Sequence, residues 1–164
     1  MLIERYNQKI KQRFYWFSYN DKSFENLIWN GKDIIFYFPD SNFQHYGDYF
    51  FFEPTISTLI SFGFNCKLVV DKNGQNYLNN IFSFQTEKDK LREFKGIIIS
   101  RPEFFLQIKR KLLLNKTIFI DLASKNINEK ICDYIFNLIA NKLNIKKIKL
   151  PDPFSSLKVE KSIF

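Results

Sequence analysis

The sequence predicts an α/β fold: a Rossmann-like, three-layer domain with a mostly parallel sheet of about five or six strands between layers of helices. Two observations predict it. Short apolar runs rich in β-branched and aromatic residues alternate with segments whose apolar residues recur every three or four positions. The clearest unit, residues 33–71, has the order strand, polar loop, helix and strand, and a unit of this length requires a right-handed crossover between parallel strands.

This unit contains the best-defined elements of the chain. The apolar run 33–38 predicts a buried strand, and 66–70 predicts a second one. Between them, residues 48–62 have apolar side chains at helical spacing, and Gly63 follows where a helix commonly ends in a left-handed residue. The polar loop after the first strand therefore opens at the carboxyl edge of the sheet, where such folds bind ligands.

An amphipathic helix is predicted at residues 1–17. The apolar face of such a helix usually packs on its own domain, so we expect this one on the flank. Its basic residues leave a second interpretation open, a helix lying on a membrane surface. The apolar residues are Leu2, Ile3, Tyr6, Ile10, Phe14 and Phe17, and the basic ones are Arg5, Lys9, Lys11 and Arg13.

The rest of the chain continues the alternation. Further strands are predicted at 81–84, 96–100, 117–122 and 146–150, and helices at 102–114 and from a cap at Asn126 or Asn128 to 143; a short helix or turn is expected at 76–80 and a surface helix or loop at 86–94. Residues 1–150 then form a single domain, with 151–164 as a tail or linker.

Composition narrows the function classes. The chain has 164 residues and a net charge of +8, which indicates either an anionic partner or a lysine-rich solvated surface. The N-terminus lacks the apolar core of a signal peptide, and no run of about 18 apolar residues occurs, so a cytoplasmic location is expected. Cys66 and Cys132 lack metal-site spacing and are expected to be buried thiols.

Several cofactor and catalytic motifs do not occur in the sequence. It has no GxGxxG after a strand, no GxxxxGK[ST] and no GxSxG. A dinucleotide fingerprint, a P-loop and a hydrolase nucleophile elbow are thereby excluded as sequence signatures. No metal and no cofactor is expected.

The segment 47–59, GDYFFFEPTISTL, carries a family resemblance. Gly47, Asp48, Pro54 and Leu59 resemble the Gly-Asp…Pro…Leu signature near the start of heptosyltransferase-like glycosyltransferases (family 9 type), with five residues here between Asp48 and Pro54. The similarity covers roughly residues 33–150, where the remainder is hydrophobic pattern. It implies the N-terminal half of a GT-B glycosyltransferase.

In that family two Rossmann-like domains face a cleft; the first binds the acceptor and the second the nucleotide-sugar donor. The resemblance implies that this chain is the acceptor-binding half, that it takes part in sugar transfer to a lipopolysaccharide or surface-glycan acceptor, and that it is inactive alone. Its partners would be a glycan or glycolipid acceptor, the donor through a C-terminal domain missing here, and peripherally the inner-membrane surface.

The resemblance assigns the catalytic role of general base to Asp48 alone, in an inverting transfer. Ser41, Asn42, His45 and Gly47, in or beside the same loop, are the candidate substrate-binding residues. A second interpretation of Asp48 is a helix cap, since Asp is favoured there. Likewise, a lone loop histidine such as His45 is commonly a bystander.

A different class of function stays open: a non-catalytic, basic α/β module that binds nucleic acid or a protein partner. The charge and the 20 Phe and 8 Tyr residues favour it. However, most aromatic residues fall on predicted buried faces, and no nucleic-acid-binding signature accompanies them, which disfavours nucleic acid.

Overall fold

The computed structural model describes residues 2–18, 29–42, 44, 46–88, 91 and 94–151. The predicted α/β class is confirmed: a five-stranded, all-parallel sheet is flanked by helices. The strands are β1 (Asp33–Phe38), β2 (Asn65–Val70), β3 (Thr86–Lys88), β4 (Ile97–Ser100) and β5 (Thr117–Phe119), and the helices are α1 (Leu2–Ser18), α2 (Tyr46–Ser61), α3 (Lys72–Leu78), α4 (Phe105–Arg110) and α5 (Ile131–Leu143).

The strand order places β1 at the centre of the sheet. It is β3-β2-β1-β4-β5, with every neighbouring pair parallel. On one side of β1 lie β2 and then β3, and on the other side lie β4 and then β5. The loops that follow β1 and β4 therefore lie side by side at the carboxyl edge, and we call the position between them the crevice, since this is the usual ligand position in a doubly wound sheet.

The core forms mainly between β1 and α2. All residues of β1 after Asp33 are buried, and α2 places Tyr49, Phe52, Ile56 and Leu59 against the sheet. Phe52 contacts the rings of both Phe36 and Phe38, at centroid distances of 6.2 and 4.9 Å. The predicted buried aromatic core is thus observed at the centre of the sheet.

The ends of α2 agree in part with the prediction. At the C-terminal end, Gly63 adopts a φ of +92°, and the N–H of Phe64 donates to the carbonyl of Leu59 at 3.1 Å, which closes the helix. At the other end the helix begins at Tyr46, two residues before the predicted start, so Asp48 lies within the first turn. Pro54 lies inside the helix and supplies no N–H to the carbonyl of Phe50.

Two predicted strands are wrong. The third strand is Thr86–Lys88, inside the predicted helix or loop, and not 81–84. The aromatic residues of 81–84 pack with each other instead: Phe82 and Phe84 stack at 4.8 Å. Residues 146–150 form no strand; they are mostly exposed and follow Asn144, whose left-handed φ of 53° ends α5.

Three helix predictions also change. The predicted helix 102–114 is a short 3-10 turn, Pro102–Phe104, followed by α4, which ends before Leu112 at a φ of 55°. Next, α5 begins after Lys130 and not at either predicted asparagine cap. Finally, α1 forms as predicted, but the apolar residues described on it are exposed and do not pack on the flank. The side chain of Phe17 and the tail beyond Pro151 lie outside the described residues.

Candidate binding site at the carboxyl edge of the sheet

The loop after β1 carries most of the candidate site residues, and its first half is fixed to β2. Both the N–H and the Oγ of Ser41 donate to Asp71 Oδ2, at 2.9 and 2.7 Å. Asp71 also caps α3, since its Oδ1 accepts from the N–H of Gly74 at 2.7 Å. Ser41 is therefore engaged in holding the loop against the start of α3.

Asn42 takes a different position. Its N–H donates to Asp40 Oδ1 at 2.9 Å, a local turn that exposes the Asn42 side chain. Both residues line a cavity of about 630 Å³ beneath α1. The described lining consists of charged and amide side chains: Glu4, Arg5, Asn7, Gln8 and Lys11 from α1, with Asp40 and Asn42 from the loop.

The second half of the loop faces β4 across the crevice. Arg101 follows β4 directly, and its Nη1 donates to Gln44 Oε1 at 2.8 Å and to Asp48 Oδ2 at 3.0 Å. Its Nη2 donates to Glu103 Oε1 at 3.1 Å. One guanidinium thus joins the β1 loop, the first turn of α2 and the turn after β4.

This cluster is largely withdrawn from solvent. The side chains of Arg101, Asp48 and Glu103 are 12, 22 and 7% exposed. Gln44 is buried, and its Nε2 finds no hydrogen-bond partner among the residues that the structure describes. Two carboxylates, those of Asp48 and Glu103, therefore share the guanidinium of Arg101.

The position of Asp48 in the first turn of α2 bears on both interpretations of its role. A capping residue precedes the first helical residue, whereas Asp48 is the third residue of α2. Its carboxylate instead forms an ion pair with Arg101 on the opposite side of the crevice. Asp48 therefore lies at the carboxyl edge of β1 with its carboxylate paired to Arg101, and any proposed role for Asp48 has to account for this ion pair.

Gly47 is exposed in the same turn, and no conformational reason requires glycine there. Its φ is not positive, and a Cβ built on it would meet nothing within 4 Å. The backbone at this point is accordingly open to a close approach from outside. His45, the remaining candidate, lies outside the described residues.

The predicted site residues share one loop but not one surface. Ser41 is bonded towards β2, Asp48 towards β4, and Asn42 towards the cavity under α1. The sequence reasoning missed Arg101, Gln44 and Glu103. The available signal was the position of Arg101 immediately after a buried strand, but using it required the strand order, since only that order places β4 beside β1.

The cysteines lie away from this site. Cys66 is in β2 near the amino edge, and burial raises the pKa of its thiol to about 12. Cys132, in α5, is half-buried, and burial together with the nearby Asp133 and Glu53 raises its pKa as well. A raised pKa keeps a thiol protonated at neutral pH, so neither cysteine has the character of a nucleophile.

Comparison with protein-family models, with curated protein sequences and with solved structures gives no significant match. Within the described ranges, no group of His, Cys, Asp and Glu side chains has an arrangement that could hold a metal ion. No helix in the described part of the chain is both long enough and apolar enough to cross a bilayer.

Proposed function

We propose that this chain is the acceptor-binding half of a heptosyltransferase-like glycosyltransferase, and that the cavity beneath α1 holds a hydroxyl-rich, anionic acceptor. The observation that carries the proposal is the cavity of about 630 Å³ at the carboxyl edge, lined by charged and amide side chains. Ligand pockets of this volume are common, but most are lined by apolar groups. A polar lining favours a polar ligand such as a sugar.

The chemistry of the lining supports the same class of ligand. Carboxylates such as Asp40 accept hydrogen bonds from hydroxyls, and amides such as Asn42 both donate and accept. Arg5 and Lys11 are the positive groups of the lining that phosphate or carboxylate groups on an acceptor sugar would meet, beside the carboxylates of Glu4 and Asp40. A neutral, apolar ligand would leave these groups without compensation for the water they lose.

Asp48 is the proposed general base of the assembled enzyme. It lies next to the cavity-lining loop, and Arg101 fixes the orientation of its carboxylate. A base must be held in a fixed position and within hydrogen-bond reach of the hydroxyl that it deprotonates. The ion pair with Arg101 meets the first of these two conditions. In this proposal Arg101 is a positioning residue, and Gly47 allows the acceptor to approach the backbone.

The nucleotide-sugar donor belongs to the second domain in this proposal, and no cofactor is required of this half. We place the chain in the cytoplasm. The alternative, a nucleic-acid-binding module, gains no support from the aromatic residues, because the largest fully buried side chains of the described chain include Phe36, Phe38, Phe52, Phe82 and Phe104.

Acceptor binding can be tested on the chain alone. The probe is a deacylated lipopolysaccharide core oligosaccharide, with its dephosphorylated form as the matched ligand, and binding is followed by calorimetry. We expect saturable binding of the phosphorylated probe, weaker binding of the dephosphorylated one, and no binding of a nucleotide sugar. Asn42→Ala, an exposed substitution in the lining, should weaken binding by about 5- to 10-fold through a lost hydrogen bond.

The matched control is Asn128→Ala, an exposed asparagine in another loop, which should bind like the wild type. Equal affinity of wild type and Asn42→Ala would place the ligand elsewhere. Tight binding of the nucleotide sugar would place the donor site in this domain and contradict the proposal.

The proposed base requires the two-domain assembly. Asp48→Asn keeps the size of the side chain but cannot accept a proton at neutral pH, so turnover should fall by about 10²–10⁴-fold. Arg101→Lys retains the positive charge and should reduce turnover less. Turnover near that of the wild type in Asp48→Asn would leave Asp48 with a structural role only.

A further inference from the structure

Helix α1 is amphipathic, but its described apolar side chains face solvent and not the domain. Leu2, Ile3, Tyr6, Ile10 and Phe14 are 85, 76, 66, 49 and 68% exposed. At about 100° per residue these five positions fall within an arc of about 120°, so they form one continuous stripe along the helix. We call these five residues the α1 stripe.

The described side chains of α1 outside the stripe are polar, and Arg5 and Lys9 are the half-buried ones among them. Glu4, Asn7, Gln8 and Lys11 line the cavity together with the loop after β1, and the helix packs against the turn Pro102–Phe104 and against α4. Among the described side chains, the half-buried ones therefore lie on the polar side of the helix. This arrangement presents the α1 stripe outward.

Such an arrangement favours a partner for the stripe. Withdrawing a large apolar side chain from water is favourable, and the gain grows with the apolar area that is covered. By contrast, elsewhere in the described chain the exposed large hydrophobic residues do not form a comparable helical row. Contiguous exposed apolar surface rimmed by polar residues marks interaction sites.

We propose that the α1 stripe binds an anionic lipid surface, with α1 lying in the plane of the interface. Charge complementarity selects this occupant. The chain carries a net charge of +8, and α1 contains Arg5, Lys9, Lys11 and Arg13 against Glu4 alone. Basic residues beside an apolar helical face are the composition of interfacial helices, and each adds to the attraction of an anionic leaflet.

The same charges oppose the main competitor, a second copy of this chain. Pairing two α1 stripes would bring two strongly cationic helices and two chains of +8 together, and like charges at an interface lower its stability. None of the five residues of the α1 stripe lines the cavity, so the stripe can be tested separately from the proposed acceptor, while Arg5 and Lys11 are common to both proposals.

The experiment measures cosedimentation of the full chain with vesicles of phosphatidylcholine alone and of phosphatidylcholine with phosphatidylglycerol. We expect binding to the anionic vesicles, at least about tenfold weaker binding to the neutral ones, and a decline as salt is raised. The double variant Ile3→Ser/Phe14→Ser should bind anionic vesicles at least about tenfold more weakly, because it removes two inserted side chains.

Two matched controls make the test specific. Ile127→Ser replaces an isoleucine that is 91% exposed outside α1, and it should bind like the wild type. Lys9→Gln should lose about fivefold, whereas Lys146→Gln, an exposed lysine on another segment, should lose less. Because the changed side chains are mostly exposed, circular dichroism should show all variants folded.

Three outcomes would overturn the proposal. The first is that the wild type does not sediment with anionic vesicles at low salt. The second is that Ile3→Ser/Phe14→Ser binds these vesicles as well as the wild type does. The third is that sedimentation velocity shows the wild type to be a dimer and the double variant to be a monomer. The last result would assign the α1 stripe to a second copy.

Discussion

Helices α1 and α2 have closely similar apolar spacing and opposite environments. In α2 the apolar residues Tyr49, Phe52, Ile56 and Leu59 are buried against the sheet. In α1 the residues at comparable spacing face solvent. The comparison teaches that periodicity establishes an apolar face but not what covers it. Connectivity decides that for α2, since a crossover between β1 and β2 must pack on the sheet, whereas α1 precedes the sheet and has no such constraint.

The largest expected effect separates the two helices directly. Phe52→Ala removes a fully buried ring in contact with Phe36 and Phe38, so the free energy of unfolding should fall by about 3–5 kcal/mol. Urea denaturation followed by circular dichroism measures it. A loss below about 1 kcal/mol would mean that α2 does not pack as described.

The next effect concerns the polar end of α2. Asp48→Asn breaks the ion pair with Arg101 but leaves Glu103 in place, so unfolding should become easier by about 1–2 kcal/mol, between the values for exposed and for buried pairs. The matched control is Glu87→Gln, whose ion pair with Lys67 is 31 and 32% exposed and should contribute less than about 1 kcal/mol. If Asp48→Asn and Glu87→Gln lose the same free energy of unfolding, the greater burial of the Asp48–Arg101 pair adds no stability.

A smaller effect, of opposite sign, is expected one residue earlier. Gly47→Ala places a methyl group where nothing lies within 4 Å, so the helix should gain about 0.5 kcal/mol from the lower entropy of the unfolded chain. If the acceptor approaches this backbone, the same variant should bind the core oligosaccharide more weakly. Unchanged affinity would remove Gly47 from the binding site.

The smallest effect completes the comparison. Phe14→Ala removes a ring that is 68% exposed, so the free energy of unfolding should change by less than about 0.5 kcal/mol. The measurement is the same urea titration used for Phe52→Ala. A loss above about 2 kcal/mol would show that the α1 stripe is covered within the folded monomer.

The sequence by itself determined the class of fold and its central elements. The buried runs at β1, β2, β4 and β5 and the helical spacing of α2 are local signals, and each appears within a few residues of its predicted place. Local signals gave wrong strand predictions where apolar residues are not part of the sheet. Phe82 and Phe84 pack as stacked rings and not as a strand, and Ile148 lies in an exposed, irregular segment.

The composition of the candidate site was decided by the tertiary structure. The sequence identified the loop after β1, and with it Asp48, because that loop follows the first strand of a crossover unit. It could not identify Arg101 as the partner of Asp48, because 53 positions separate the two residues. Only the strand order brings the ends of β1 and β4 together, and a strand order follows from long-range pairing that no local pattern specifies.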